Sequence, residues 1–495
     1  MNSLSVLLTA ATLAATACAH AGDSAPDTLE LDAAFAGAPN LEQPGMAFYH
    51  DLGAANRIDS SLGLFAADAG GYWLAGRHVD PDHLPSDTVL IAKLADDGSY
   101  DETFGSDGQV TFDVLGPHGS GVAVATKARG SDTFYFAGPI DRADGSGEYD
   151  VGVSCANADG SPCAAFGDGG LVVFPLLDAN YTQAVAIAVD ESARVIVLGG
   201  CKIAGSTNPG GNLDMCTLAL DAGTGAPVEG FGNAGMSRVG VDVVADGWDI
   251  AGSGTPMVMT GADSPNGARI FVSGGLQVEP WSPSDPLAML HDRAFVVAID
   301  AVTGRIDPSF GDAGHIIYDD GDLSFVTAMA VRGDGSLLLA GQTVDSDLPG
   351  QSQLLLAAVA PDGSYLPSFC GGSVCIGNPD GLVKAVPRAV AVRQGSGNVV
   401  LATEASASTS LLPTEIAIEA GANGTSWRSV RRLDYAAADG QMPTAEVTGL
   451  QIDAQNRVLM VGARQWSVDQ PVSQFDITLA RMVDADTLFV SGFER

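Results

Sequence analysis

Short apolar runs, each bounded by Gly, Asp or Pro, repeat along nearly the whole chain. A run that ends in small residues has seven copies: YWLAG (72–76), FYFAG (134–138), VIVLGG (195–200), IFVSGG (270–275), LLLAG (337–341), VVLAT (399–403) and VLMVG (458–462). A second apolar run follows each copy, from VLIAKLADDG (89–98) to ITLARMVDAD (477–486). Such runs between turn residues predict β-strands, and their continuous apolar character indicates that both faces of the sheet are covered.

A Phe-Gly turn recurs between these pairs of runs. Its copies are LDAAFAG (31–37), YDETFGSDG (100–108), SPCAAFGDGG (161–170), VEGFGNAG (228–235), IDPSFGDAG (306–314) and YLPSFCGG (365–372). The phenylalanines are mostly about 60 residues apart, with one interval stretched by an insertion around 245–268. Glycine suits a turn with positive φ, and phenylalanine suits burial between units. The residues predicted to build these turns are Phe104, Gly105, Gly108, Phe166, Gly167, Phe231, Gly232, Phe310 and Gly311.

Each unit is predicted to contain four short strands. One unit contains HIIYD (315–319), VTAMAVR (326–332), SLLLAG (336–341) and LLLAAVA (354–360). Four-stranded units that repeat radially are β-propeller blades, and a stacked solenoid is the alternative. The last unit lacks a fourth strand, while MAFYHDL (46–52) has no unit before it. The sequence therefore predicts an all-β fold: a seven-bladed β-propeller closed by an N-terminal strand that completes the last blade.

These elements resemble the delta-60 repeat family of bacterial secreted proteins. The shared features are a D-G-x-[IVL]-x-[VL]-x-G strand, an aliphatic-R-L-x-x-D-G strand and L-D-x-x-F-G-x-x-G, and they extend from about 31 to 486. Cys370 stands where glycine is usual, and the last unit ends in Leu488-Phe489 without a full turn motif. The resemblance implies a propeller and implies no particular reaction.

The two faces of such a ring differ in character. With strands a to d counted outward from the axis, the a–b and c–d connections share one face, and the c–d connections are the similar Phe-Gly turns. The b–c and d–a connections share the other face and differ from blade to blade, as in RHVDPDHLPSDT (77–88) and GLQVEPWSPSDPLAMLHD (275–292). Variable loops on a rigid ring are where binding sites usually lie, so we expect the ligand face there, near the axis.

The N-terminus is typical of an export signal. An apolar run from Leu4 to Ala17 precedes Ala19-His20-Ala21, which fits an A-x-A cleavage site. We therefore expect a signal peptide at 1–21, a single propeller domain at 22–495 with a short tail at 487–495, and an extracellular or periplasmic location. The alternative is a surface lipoprotein scaffold lipidated at Cys18. No other stretch predicts a membrane span.

Six cysteines remain once Cys18 is removed with the signal. An even count in an exported chain indicates disulfides. The cysteines fall into three close pairs, so the simplest pairing is Cys155 with Cys163, Cys201 with Cys216, and Cys370 with Cys375. Buried free thiols are the alternative. Zinc is not expected, because the chain has no C-x-x-C pair.

The formal net charge of −37, from 23 basic and 60 acidic residues, excludes nucleic acid as a partner. Acidic loops could supply oxygen ligands for Ca²⁺, and the candidates for a metal are Asp80, Asp82, His83, Asp319, Asp320 and Asp322. DRADGSGEYD (141–150) is similar to a calcium loop but lacks its spacing. Trp281 and Trp466 could stack on a sugar or serve as loop anchors. Solvated acidic loops need no metal at all.

Motifs of known enzymes are absent from the chain: there is no G-x-S-x-G, H-E-x-x-H or Walker-type loop. No catalytic residue or cofactor is therefore predicted. The sequence favours an exported, monomeric binding or structural module for a protein, glycan or small-molecule ligand. A secreted hydrolase or lyase, with a loop-built and possibly Ca²⁺-dependent site on the variable face, is the alternative.

Overall fold

The described part of the chain folds entirely into β-strands and turns. The structure is a computed structural model, and it describes residues 29–35, 45–49, 58–79, 88–119, 121–142, 144, 149–175, 184–202, 213–241, 249–252, 254–278, 292–318, 323–344, 351–379, 381–408, 414–433, 445–467 and 474–484. Within these residues no helix is long and apolar enough to cross a membrane.

Seven antiparallel blades form a ring. Two short strands come first, β1 (Leu29–Leu31) and β2 (Met46–Tyr49). Blade 1 contains β3 (Ile58–Ala66), β4 (Tyr72–Val79), β5 (Thr88–Leu94) and β6 (Gln109–Asp113). Blade 2 contains β7 (Val124–Lys127), β8 (Thr133–Asp141), β9 (Tyr149–Asn157) and β10 (Leu171–Phe174). Blade 3 contains β11 (Ala184–Val189), β12 (Arg194–Lys202), β13 (Leu213–Asp221) and β14 (Met236–Arg238).

The remaining blades follow the same order. Blade 4 contains β15 (Asp249–Ala251), β16 (Met257–Thr260), β17 (Arg269–Gln277), β18 (Asp292–Asp300) and β19 (His315–Tyr318). Blades 5 and 6 contain β20 (Leu323–Val331), β21 (Leu337–Val344), β22 (Gln353–Val359) and β23 (Cys375–Gly377), then β24 (Lys384–Val392), β25 (Val399–Ser406), β26 (Thr414–Ala420) and β27 (Trp427–Arg432). Blade 7 contains β28 (Ala445–Ile452), β29 (Val458–Ser467) and β30 (Gln474–Asp484).

The N-terminal strands complete blade 7. β2 pairs antiparallel with β30 from Met46 opposite Ala480 to Tyr49 opposite Ile477. β1 pairs with the end of the same strand, Leu29 opposite Asp484. The predicted closure is therefore confirmed, and it also includes β1. Across the seam, Ile58 of blade 1 lies opposite Phe475 of blade 7 in a parallel bridge.

The Phe-Gly turns join each blade to the next. Phe35, Phe166, Phe231, Phe310 and Phe369 are at most 1% exposed. Each ring lies against a glycine in the turn of the following blade: Gly98, Gly225, Gly304, Gly363 and Gly424. The residue that follows each phenylalanine donates its backbone N–H to the carbonyl of the residue that precedes the facing glycine. The pairs are Gly167 to Thr224, Gly232 to Thr303, Gly311 to Asp362 and Cys370 to Asn423, each at 2.8 Å. This repeated contact fixes how neighbouring blades pack.

Phe104 differs from the other turn phenylalanines, because it is only partly buried and packs edge-on against Trp73 with ring centroids 5.0 Å apart. Gly105 has φ 56° and Gly108 has φ 90°. A Cβ at Gly105 would lie 2.2 Å from the carbonyl oxygen of Gln109, so this turn requires glycine. In blade 5, Cys370 takes the equivalent position with φ 47°.

Three disulfides tie neighbouring segments together. They join Cys155 to Cys163, Cys201 to Cys216 and Cys370 to Cys375, as the sequence predicts. The first and third close the c–d turns of blades 2 and 5, and the second links β12 to β13. They therefore act within single blades.

Candidate functional site at the axial cavity

β-Bulges recur at one position of the innermost strands. In blades 1, 3, 5, 6 and 7 the register between strands a and b shifts by one residue. The extra residues are Leu62, Val185, Thr327, Arg388 and Thr448. A bulge leaves one residue unpaired and redirects its side chain, so these shifts change what the inner strands present to the axis.

Strand b of most blades contains the apolar run that ends in small residues, such as YWLAG in blade 1. The glycine near the end of this run lies opposite the bulge in four blades. Gly76, Gly199, Gly341 and Gly462 each pair with the residue before the bulge. A Cβ at Gly341 would lie 2.0 Å from the carbonyl oxygen of Phe325, and one at Gly462 would lie 2.1 Å from that of Glu446. In blades 5 and 7 the close approach of the bulged inner strand therefore leaves no room for a side chain at this position.

A cavity of about 370 Å³ lies on the axis beside the bulges. Its lining residues are Ser61, Leu62, Ala123, Val124, Val185, Gly254, Arg388, Glu404, Glu446, Val447 and Thr448. They come mainly from the first half of the inner strands, which follows the d–a connections. The cavity therefore lies towards the variable face, and its volume falls in the range of about 300–1,000 Å³ typical of small-molecule sites.

Blade 6 supplies the charged wall of this cavity. Arg388 is the bulged residue of β24, and its Nη2 donates to Oε2 of Glu404 at 2.8 Å. The other carboxylate oxygen of Glu404 accepts from the backbone N–H of Val447 in blade 7 at 3.2 Å. Blade 6 also departs from the repeat, because Thr403 stands opposite its bulge where the other four bulged blades have glycine. The departure and the ion pair therefore occur at the same place.

Two further polar side chains line the cavity. Ser61 is 6% exposed, and within the described part of the chain its hydroxyl has no hydrogen-bond partner. Glu446 of β28 is exposed, and the described residues place no basic group in an ion pair with it. Both groups are available to a ligand, whereas Arg388 and Glu404 already bind each other.

The insertion before β16 narrows the axis on the other side. The backbone N–H of Thr255 donates to the carbonyl of Thr327 at 3.0 Å, and Met329 donates to the carbonyl of Thr255 at 3.1 Å. Thr255 Oγ1 donates to the carbonyl of Arg388 at 3.3 Å. A Cβ at Gly254 would lie 2.1 Å from that same carbonyl oxygen. The insertion thus packs against the inner strands of blades 5 and 6, and the cavity extends from the wall formed by blade 6 towards blades 7, 1, 2 and 3.

A second cavity, of about 580 Å³, lies near the opposite end of the inner strands of blades 5 and 6. Its arginines already have structural contacts: the Arg393 guanidinium lies 3.8 Å from Glu419, and that of Arg332 lies over the Phe369 ring at 5.9 Å. Two of its basic groups are therefore engaged within the fold, which makes it the weaker candidate.

A buried polar pair lies where β17 and β18 reach the variable face. Gln277 is opposite Asp292, and each is 2% exposed. Both amide atoms of Gln277 and Oδ1 of Asp292 have no hydrogen-bond partner among the described residues. Burial raises the pKa of Asp292 to about 7, and the neighbouring Arg293 acts in the opposite direction. The carboxyl group can therefore be neutral in mildly acidic solution.

Most loops in which the sequence predicts metal-binding or ligand-stacking residues lie outside the described residues. Asp80, Asp82, His83, Asp319, Asp320 and Asp322 are all in this group, as are Trp281 and the side chain of Trp466. His78 is buried in β4. Asp150, within the loop similar to a calcium site, accepts from Arg142 Nε at 2.7 Å. No three His, Cys, Asp or Glu side chains in the described ranges are grouped to hold a metal ion.

Sequence reasoning missed Arg388, Glu404 and Glu446. All three lie in strands rather than in loops. One signal was present: charged residues interrupt the apolar runs KAVPRAVAV and VVLATEAS of blade 6. Their meeting at the axis depends on bulges that the pattern does not reveal.

Comparison with known proteins supports the fold alone. No family model matches the chain, and no curated protein matches it. Among solved structures, an ulvan lyase of polysaccharide lyase family PL25 is similar at TM-score 0.50 and 10% identity, covering 88% of this chain and 99% of that one. Polysaccharide lyase Uly1 is similar at TM-score 0.46 and 10% identity, covering 92% and 97%. Oligopeptidase B from Leishmania major is similar at TM-score 0.41 and 7% identity, covering 85% and 47%.

Proposed function

We propose that this protein is an exported β-propeller binding module whose ligand occupies the axial cavity on the variable face. The observation that carries the proposal is the ring of bulges beside a cavity of about 370 Å³ that Arg388, Glu404 and Glu446 line. Small-molecule sites are usually concave and contain a few convergent polar groups, and the surface of this cavity is mostly polar. A compact polar molecule, or the end of a polymer, fits this description.

Two features of the cavity support a ligand over a purely structural role. Ser61 offers a buried hydroxyl without a partner in the described structure, and buried polar groups in native proteins are normally satisfied. The charged wall belongs to the one bulged blade that lacks the facing glycine. The departure from the repeat and the charged wall thus coincide at the cavity.

Export is supported by the three disulfides, because such bonds persist mainly in oxidising compartments. The signal peptide, the delta-60 resemblance and the alternative lipid anchor at Cys18 stay predictions. The similar solved structures include enzymes named as polysaccharide lyases. Because this likeness is one of fold, the ligand class is argued from the chain's own cavity.

The experiment fills the cavity. Thr448 is exposed and lines it, so Thr448→Trp places a large side chain in the ligand volume. The matched control is Val302→Trp, since Val302 is 64% exposed in the c–d turn of blade 4 on the opposite face. A panel of monosaccharides, amino acids and alkylamines is screened by calorimetry against the three proteins. We expect binding that Thr448→Trp abolishes and Val302→Trp preserves. Binding that survives Thr448→Trp, or no binding to the unmodified protein, overturns the proposal.

A second candidate function is hydrolysis or elimination at the same cavity. It is favoured by Glu404 and Glu446, because carboxylates at a ligand site can act as general acid and base. Incubation of each saccharide that binds, followed by product analysis, tests it. Products that appear with the unmodified protein and vanish with Glu446→Gln support an enzyme. Binding without products supports the module.

A further inference from the structure

The charges that line the axial cavity do not balance. Arg388 and Glu404 form an ion pair at 2.8 Å, so their charges offset each other. Glu446 remains, and among the described residues no lysine, arginine or histidine pairs with it. The described wall therefore carries one uncompensated negative charge.

Glu446 is not part of the repeated architecture. It stands two residues before the bulged Thr448, and the corresponding inner-strand residues are Ser60 in blade 1, Phe325 in blade 5 and Val386 in blade 6. A carboxylate is thus not needed to form this strand or its bulge. Because the strand does not need this carboxylate, Glu446 is available to contact a molecule that enters the cavity.

The rest of the wall indicates the chemical character of the ligand. Leu62, Val124 and Val185 contribute apolar surface, while Ser61 contributes a hydroxyl that can donate and accept. The formal net charge of −37 adds a long-range field that attracts cations and repels anions. Short-range and long-range electrostatics therefore favour the same sign of ligand.

We infer that the cavity selects a small molecule with a protonated amine on a compact, partly apolar frame, and that Glu446 is the specificity residue. This inference rests on the proposed function, since it names the ligand class of the same cavity. An anionic ligand, such as a uronic acid or a sulfated sugar, would meet Glu446 and the acidic surface, and Arg388, the arginine that lines the cavity, is already paired with Glu404. We therefore expect the cavity not to bind anionic ligands.

The test compares ligands of similar size that differ in charge. One set is glucosamine, glucose and glucuronate, and the other is putrescine, 1,4-butanediol and succinate, titrated by calorimetry at about pH 6, where the amines are protonated. We expect the amine of each set to bind about fivefold or more tightly than the neutral member, and the anion to bind most weakly. Raising the salt concentration should reduce this preference, because the charges are partly exposed.

Glu446→Gln should lower the preference for the amine to near unity while leaving the neutral ligand unchanged. The matched control is Glu102→Gln, which removes the same charge from an exposed site in the c–d turn of blade 1. A local interaction spares the control, whereas a general charge effect changes both variants equally and overturns the inference.

Two failures are distinguishable. If a neutral or anionic probe binds more tightly than the amine and Thr448→Trp abolishes that binding, the cavity is the site and the inference about its ligand is wrong. If amine binding is unchanged in both Thr448→Trp and Glu446→Gln, the amine binds elsewhere and the proposed function fails as well.

Discussion

Arg481 donates from Nε to the carboxylate of Asp32 at 2.8 Å, although the two residues are 449 positions apart in the chain. Arg481 lies on the third strand of blade 7, and Asp32 follows β1. The guanidinium also lies over the Phe35 ring at 4.6 Å. The N-terminal segment is therefore held to blade 7 by an ion pair and a cation–π contact in addition to its strand pairing.

Loss of this ion pair should weaken the closed ring. Asp32→Asn removes the nearer countercharge of Arg481, which is 2% exposed, and leaves only the Asp96 carboxylate at 3.8 Å. Breaking a buried pair completely costs about 3–5 kcal/mol, so the loss of unfolding free energy should approach the lower end of that range. Urea unfolding measures the change. The control is Asp101→Asn, the equivalent turn residue of blade 1, which pairs with Lys93 at 3.0 Å in a more exposed position. Equal losses for the two variants would show that the seam has no special role.

The turn phenylalanines should differ in importance according to their burial. Phe310 is fully buried against Gly363 of the next blade, so Phe310→Ala should cost about 3–5 kcal/mol in unfolding free energy. Phe104 is only partly buried, and Phe104→Ala should cost clearly less. Thermal unfolding of both variants checks the order, and a larger loss at Phe104 would contradict the packing described above.

Gly341, which lies opposite the bulge of blade 5, should not tolerate a methyl group. Gly341→Ala brings a Cβ to 2.0 Å from the Phe325 carbonyl oxygen, and the resulting displacement should cost about 1–3 kcal/mol. Gly333 of the same blade has no heavy atom within 4 Å of the corresponding position, so Gly333→Ala should be neutral or slightly stabilising. Chemical denaturation compares the two. A harmless Gly341→Ala would argue against the close approach of the bulged strand.

Asp292 should make stability depend on pH. Its folded-state pKa is raised to about 7 by burial, above the ordinary value of about 3.9, so the folded state holds an extra proton between these values. Stability from this group is complete below about pH 4 and is lost as pH rises through about 7. Asp292→Asn should therefore be more stable than the unmodified protein at about pH 8, by about 2–4 kcal/mol, with little difference at about pH 4.

Unfolding curves at both pH values test this prediction, with the exposed Asp263→Asn of the same blade as the control. A gain that is the same at both pH values, or that also occurs with Asp263→Asn, would show that Asp292 does not titrate as described.

The sequence was informative about the fold because each blade repeats the same local chemistry. The Phe-Gly pair, as at Phe231 and Gly232, recurs in successive units. β2 could be assigned to blade 7 because an unpaired strand needs a partner. The candidate site was harder to predict from the sequence. Arg388 and Glu404 lie 16 residues apart on neighbouring strands, and only a bulge and a missing glycine bring them to the cavity wall. Glu446 reaches the same wall from another blade, which no local pattern encodes.

The most direct measurement of the central claim is a crystal structure grown with glucosamine. We predict that the sugar lies on the propeller axis beside Arg388 and Thr448, with its amine within hydrogen-bonding distance of the Glu446 carboxylate. Density for the sugar on the face of the Phe-Gly turns, or in the cavity with its amine directed away from Glu446, would contradict the account.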